Sequence, residues 1–329
     1  MAATFTAWDI PRYGAPDVLR PVTRALQDPG PGEVLIRIRA SAVTRADGMM
    51  RAGIPRFARP FLGLRRPRAG LSGTGLSGEV IATGPGVTRF AVGDAVFGEA
   101  GLRFGANATH IVLPQDGVLM KKPEGLGHAE AAVLTDGALT SWHFLHDVGR
   151  VRAGQRVLIL AGAGSLGSAA VQIAAAAGAH VTASASARNA DLVASLGAGR
   201  VIDYARQDPL AAGTYDLVFD TIGVASFARA RRVLAPGGTY MSPVLTARLL
   251  WDMLRSRIAG GRRARFTAVG LETPETLRAA LADVLGAIAA DRFAPVMDRS
   301  YPLEDLVGRC QQTVLERGPE ASSGRRASR

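Results

Sequence analysis

Short apolar runs, EVLIRIRA, EVIATG, DAVFG and THIVLP, recur between about residues 33 and 120, each cut off by Gly, Pro or Asp. β-Branched residues between turn formers predict an antiparallel, β-rich region. Near residue 126 the period changes. AEAAVLTDGALTSWHFLHDV has helical spacing, and strands then alternate with helices through VLIL, HVTAS, RVIDY, YDLVFDTIG, GGTYMS and RFTAVG. Alternation at that spacing predicts βαβ units and a parallel sheet. After about residue 272, PETLRAALADVLGAIAADRF reads as a helix leading into PVMDRSYPLEDLVGRCQQTVLE, and GPEASSGRRASR as a disordered tail. A chain of 329 residues with this pattern is expected to form two domains of the α/β class.

Composition narrows the class. Hydrophobic residues are 47% and charged residues 20%, a soluble globular composition. The single cysteine, Cys310, excludes an internal disulfide and a Cys-based zinc site, so it is read as core packing in a protein of the cytoplasm. A net charge of +11 suggests nucleic acid or an acidic membrane surface. Yet all but two of the 39 basic residues are arginine, the exceptions being Lys121 and Lys122. That skew fits GC-rich codon usage better than selection for phosphate contacts, and nucleic-acid binding is not expected. Residues 157 to 187 carry no Asp, Glu, Lys or Arg, but they break at the glycines of GAGSLG and resume as an alanine-rich run. Strand, turn and helix explain the stretch, so no membrane span is expected. The first residues, MAATFTAWDIPRYG, have neither the basic nor the apolar part of a secretion signal.

Two segments match GxGxxG, and context separates them. Gly73, Gly75 and Gly78 in GTGLSG precede EVIATGPG, which cannot open a helix, and read as a β turn. Gly162, Gly164 and Gly167 in GAGSLG follow a strand and open a helix. There the first glycine permits a tight turn, the second lets a pyrophosphate reach the backbone, and the third lets helix pack on strand. Gly162, Ala163, Gly164, Ser165, Leu166 and Gly167 are therefore the expected phosphate loop, with the helix N-terminus supplying N–H donors and partial positive charge. NAD sites usually end the second strand with Asp or Glu. Here that strand ends at Ala185 and the first acid is Asp191, already in the next helix, whereas Ser184, Ser186 and Arg188 offer hydroxyls and a guanidinium to a 2′-phosphate. NADPH is the expected cofactor.

Taken in order, RYGAPDVLR, GEVLIRIRASAVTRAD, SGEVIATGPGVTRFAVGDAVFG, the GAGSLG segment, RNADLVASLGAGRVIDY, YDLVFDTIG, LAPGGTY and PVMDRSYPLEDL resemble the medium-chain dehydrogenase/reductase superfamily, in its zinc-independent quinone oxidoreductase branch that includes zeta-crystallin. The resemblance covers nearly the whole chain. It implies a GroES-like β-rich catalytic domain over residues 1–125, a doubly wound Rossmann domain over 126–271, and a return to the catalytic domain over 272–318, before the tail at 319–329. It also implies an active site in the cleft between the domains and a homodimer as the assembly.

Zinc-dependent members carry a cysteine where Thr44 stands and a His-Glu pair where Thr74 and Gly75 stand. His143 and His146, one helical turn apart, are read as ordinary helix residues. Without a Lewis acid a simple alcohol or ketone is a poor substrate, whereas quinones and enones accept hydride readily. The resemblance places Thr44 and Asp47 at the catalytic position, Thr140 at the nicotinamide, Tyr204 near the adenosine phosphate, and Ile222 and Gly223 along the ribose. Quinone reductases often have Asn at the position of Thr44 and Tyr at that of Met49, and this chain keeps neither. The alternatives are an alkenal or enoyl reductase, and a non-catalytic NADPH-binding relative that uses its basic surface for RNA or a membrane. Arginine-rich runs at 56–68 and 255–265 are unassigned. Leu249, Leu250, Met253, Leu254 and Ile258 suit an amphipathic helix that covers the active-site cleft or a dimer surface or touches a membrane, and the sequence does not choose among them. The chain ends in SSGRRASR where relatives have a short strand, which puts the final strand pairing in question.

Overall fold

The computed structural model describes residues 3–309 and 313–316. Cys310 and the 319–329 tail lie outside the described residues. The chain divides into two compact units, one built from residues up to Asp136, Thr273–Arg278 and the residues from Met297 on, the other from Gly137–Glu272 and Ala279–Val296. The first boundary lies at 136/137 rather than near 125, because helix α3 (His128–Val133) packs on the β strands of the first unit. The last long helix, α9 (Pro274–Ala289), contributes its first turn to the first unit and its remainder to the second.

In the first unit β1 (Thr4–Asp9) and β2 (Arg20–Ala25) form an antiparallel ribbon. The main sheet is organised around the eleven-residue β3 (Glu33–Val43), which pairs with β4 (Gly75–Thr83) and β6 (His110–Pro114). Beyond β4 come β5 (Ala95–Glu99) and β7 (Val118–Lys121). On the other side of β3 lie β15 (Thr313–Glu316) and, parallel to it, β14 (Ser300–Pro302). The final strand is therefore present, and it is carried by TVLE rather than by the terminal residues. Val34, Ile36, Ile38, Leu76, Val96 and Leu119 form the core, and burying each such side chain stabilises by about 1.5–3 kcal/mol. A second cluster joins the two ends of the chain: Trp8, Ile10 and Val43 pack on Leu303 and Leu306, and the Trp8 indole donates to the Leu303 carbonyl at 3.0 Å. Two short helices, α1 (Arg45–Ala52) and α2 (Arg59–Leu62), link β3 to β4.

The first GxGxxG segment takes a different form from the expected turn. From Gly75 onward it is strand β4, extended and paired on both sides. Its glycines serve close approach: a Cβ at Gly78 would strike the Arg37 carbonyl, and one at Gly75 the Thr135 hydroxyl.

In the second unit β8 (Arg156–Leu160), β9 (His180–Ala185), β10 (Arg200–Asp203), β11 (Tyr215–Asp220), β12 (Leu234–Met241) and β13 (Arg263–Arg265) form a wholly parallel sheet, in the order β10-β9-β8-β11-β12-β13. This is the doubly wound order, with its reversal between β8 and β11. Buried strands read as continuous apolar runs, as VLIL and DLVF do. Helices α4 (Leu139–His143), α5 (Ser165–Ala176), α6 (Ala190–Ser195), α7 (Phe227–Ala230) and α8 (Ala247–Ala259) complete the unit. π-Helical turns at Leu134–Ala138 and Phe144–Val148 flank α4.

Candidate active site

Strand β8 ends at Leu160, and the chain turns through residues 161–164 before α5 begins at Ser165. The left-handed residue of this turn is Ala161, at φ +60°, not Gly162. Gly162 is required for another reason: a Cβ there would meet the Ala183 methyl at 2.9 Å and Val193 at 3.2 Å. Gly167 has no room either, since its Cβ would collide with the Ala161 carbonyl. Gly164 is extended and caps α5, accepting from the Ser168 N–H at 2.8 Å. Ser165 and Leu166 open the helix, where unsatisfied N–H groups favour an anion. Ser141 on α4 donates to the Leu166 carbonyl at 2.7 Å, and Gly137 lies against Ser165. Thr140 is half-buried on α4, next to Ser141 in the chain.

The second strand supplies Ser184, buried, whose hydroxyl accepts from the Ala161 N–H at 3.0 Å. That contact holds the phosphate turn in place and occupies a group that the sequence offers to a 2′-phosphate. Ala185 ends the strand, so no carboxylate stands there. Ser186 and exposed Arg188 follow at the start of α6.

At the sheet's reversal lies a cavity of about 690 Å³, lined among others by Ala161, Ser184, Tyr204, Arg206, Ile222 and Arg229. Tyr204, 58% exposed, and Ile222 are brought together there, while Arg188 and Ser186 are not among its lining residues. Arg206 and Arg229 were not foreseen. Arg229 is already paired with Asp208 at 2.8 Å, whereas Arg206 carries no ion pair among the described residues.

The loop after β11 is shaped by the last residue of that strand. Asp220, fully buried, accepts from the N–H groups of Gly223, Val224 and Ala225 at 2.8, 3.1 and 2.7 Å, and from the Tyr240 hydroxyl at 3.0 Å. Burial, and then the Asp220 charge, hold the Tyr240 phenol well above its ordinary range, so it remains a donor. Gly223 takes φ +71° and lies against Val244. An Asp three residues before a Gly is a turn signal that could have revealed this arrangement.

In the first unit Thr44 and Asp47 form a capping box at the start of α1. The Asp47 carboxylate accepts from the Thr44 N–H at 2.9 Å and hydroxyl at 3.1 Å, and the Thr44 hydroxyl accepts from the Asp47 N–H at 3.2 Å. The other Asp47 oxygen is buried without a partner among the described residues, as is the Arg51 Nε. Burial pushes the Asp47 carboxyl up to about 6, against the pull of Thr44 and Arg51. Glu99, at the end of β5 and opposite Gly75 on β4, is pushed further, to about 8, by burial and by repulsion from Asp136 and Asp47. Glu99 thus stands within reach of two other acids of this unit and keeps its proton at neutrality.

Residues 30–124 match the alcohol dehydrogenase GroES-like domain, and residues 196–308 match the zinc-binding dehydrogenase family. The chain belongs to the medium-chain dehydrogenase/reductase superfamily. It is 29% identical to the mitochondrial NAD(P)H oxidoreductase of Bos taurus, over 91% of this chain and 84% of that one. Among solved structures the quinone oxidoreductase of Coxiella burnetii superimposes with a TM-score of 0.83, at 25% identity, over 96% of this chain and all of the other. A mycobacterial protein solved with NADPH gives 0.78 at 28% identity, over 95% of this chain and all of that one.

As a medium-chain dehydrogenase/reductase, this chain does not fit a catalytic zinc. The Thr44 hydroxyl is committed to the capping box, and Gly75 has no room for any side chain because Thr135 fills the space. His143 pairs with Asp147 at 2.7 Å and His146 stacks on Trp142. No group of three or more metal-ligating side chains occurs among the described residues. A nicotinamide dinucleotide fits better: the turn at 161–164 leads into the N-terminus of α5, with no room for a side chain at Gly162 or Gly167, beside a cavity at the reversal of the sheet.

Proposed function

We propose that this protein is an NADPH-dependent, zinc-independent reductase of quinones or of α,β-unsaturated carbonyl compounds. The observation that carries the reading is the cavity at the β8/β11 reversal, faced by Tyr204 and Arg206, beside a strand β9 that ends in Ala185 rather than an acid. An acid at that strand end accepts from a free ribose diol and repels a 2′-phosphate, whereas a guanidinium attracts one.

When bound, the cofactor supplies two electrons and a proton as a hydride equivalent. Residues 162–167 would hold its pyrophosphate, Tyr204 and Ile222 would flank the adenosine and ribose, and Arg206 or Arg188 would meet the 2′-phosphate. Thr140 would set the nicotinamide end. In the first unit Thr44 is a positioning residue, because its hydroxyl hydrogen is already directed at Asp47. Glu99 is the proton store, since reduction of a quinone or an enone consumes a proton and this group retains one at neutral pH.

Steady-state NADPH oxidation against a panel of naphthoquinones and cyclic enones tests the reading, with deuterated cofactor separating the products. Deuterium on a β-carbon marks an enone substrate, and a hydroquinone marks a quinone. Calorimetric titration completes it: Arg206→Ala should weaken NADPH about tenfold and leave NADH unchanged. NADPH binding with no turnover of any acceptor would leave a binding protein, and preference for NADH would remove the cofactor assignment.

A further inference from the structure

Helix α8 has a second apolar face. Its inner side is fixed by Leu249, Met253 and Ser256, which pack on the sheet. Sequence spacing joins Leu249 and Met253 to Leu250, Leu254 and Ile258 as one stripe, but the fold divides them. Leu250, Trp251, Leu254 and Ile258 turn outward, with Trp251 at 58% and Ile258 at 79% exposure. At 3.6 residues per turn, Ala247, Trp251, Leu254 and Ile258 follow at i, i+4, i+7 and i+11, with Leu250 alongside. Arg257 lies on one flank of this stripe, and Arg248 and Arg255 on the other. The one acid of the helix, Asp252, faces inward at 14% side-chain exposure, within 3.7 Å of Arg248.

An exposed apolar stripe bordered on both sides by arginine matches a surface that is apolar below and anionic above. A duplex or single-stranded RNA would use the arginines and leave the stripe in water. A second copy meeting this face about a two-fold axis would bring arginine flank against arginine flank, in a chain that already carries +11. We propose that the outer face of α8 docks the protein on an anionic phospholipid surface, with Leu250, Trp251, Leu254 and Ile258 entering the acyl boundary and Arg248, Arg255 and Arg257 meeting the headgroups. No described helix is long and apolar enough to cross a membrane, so the contact is interfacial.

The full-length protein is sedimented with vesicles of phosphatidylcholine alone and of phosphatidylcholine with roughly 30% phosphatidylserine. Binding is expected to the second only, and to fall as salt is raised. Trp8 is buried and Trp142 half-buried, so a blue shift of tryptophan emission on vesicle addition reports Trp251, and Trp251→Phe should abolish the shift. Leu254→Glu with Ile258→Glu, and separately Arg255→Glu with Arg257→Glu, should each weaken binding at least about tenfold with unchanged circular dichroism. Equal sedimentation of the folded variants, or none for the parent, overturns the proposal. So does retention of an RNA oligonucleotide by this face, or a dimer in light scattering that the Leu254/Ile258 variant dissolves.

Discussion

The second unit buries a carboxylate and surrounds it, whereas the first buries carboxylates and leaves them wanting. Asp220 meets four donors, three of them backbone N–H groups of one loop. Asp47 has one oxygen engaged by Thr44 and one with no partner among the described residues, and Glu99 is held near two other acids. A charge supplied with donors remains a charge and fixes structure. A charge denied them shifts towards its neutral form and becomes able to exchange a proton. The two units therefore use the same functional group for opposite ends, one to shape the loop after β11 and the other to retain a proton.

The contrast can be broken most sharply at Asp220. Asp220→Ala should cost about 3–5 kcal/mol in chemical denaturation, because it strands three N–H groups and a phenol. A loss under 1 kcal/mol would mean that the loop holds itself. Glu99→Gln should act in the opposite direction and only at higher pH. With the folded pKa raised to about 8, the unfolded chain gives up its proton first as pH rises from about 4, so the native glutamate loses stability progressively until its own pKa is passed. The variant should be the more stable by about 2 kcal/mol at pH 8.5 and near parity at pH 4.5, the gain being limited because solvent reaches part of the side chain. A melting-temperature difference that does not change with pH would refute the shifted acid. Thr44→Ala removes one half of the capping box and should cost about 1 kcal/mol in thermal unfolding, whereas Thr44→Ser should be nearly neutral.

These residues differ in how far the sequence discloses them. GAGSLG is a local pattern, and its strand, turn and helix follow from neighbours a few positions apart. The left-handed Ala161 was hidden because alanine does not advertise that conformation, which is imposed by the fit of Gly162 against β9 and of Gly167 against the turn itself. In the first unit the resemblance names Asp47, but its grouping with Glu99 and Asp136 is not legible. Asp47, Glu99 and Asp136 are separated by tens of residues and meet only because β5 pairs with β4 in a register that sets Glu99 opposite Gly75. The outward face of α8 was half legible: its amphipathic period is visible, but which apolar residues turn inward depends on where the sheet lies. The final strand stays open in the sequence because its pairing residues, Thr313–Glu316, lie upstream of the polar chain end and their partner on β3 is about 270 residues away.

That strand also determines an order of events during synthesis. Thr313 to Glu316 pair with Val43 to Ala40, so the first unit's sheet needs both an early and a late piece of the chain. Every strand of the second unit, through Arg265, leaves the ribosome before β15 does. Domains generally fold as they emerge. The second unit is thus set to be complete while the β-rich unit still waits for its last partner, and a chain released after residue 300 should shield the second unit from protease while leaving the edge of β3 open.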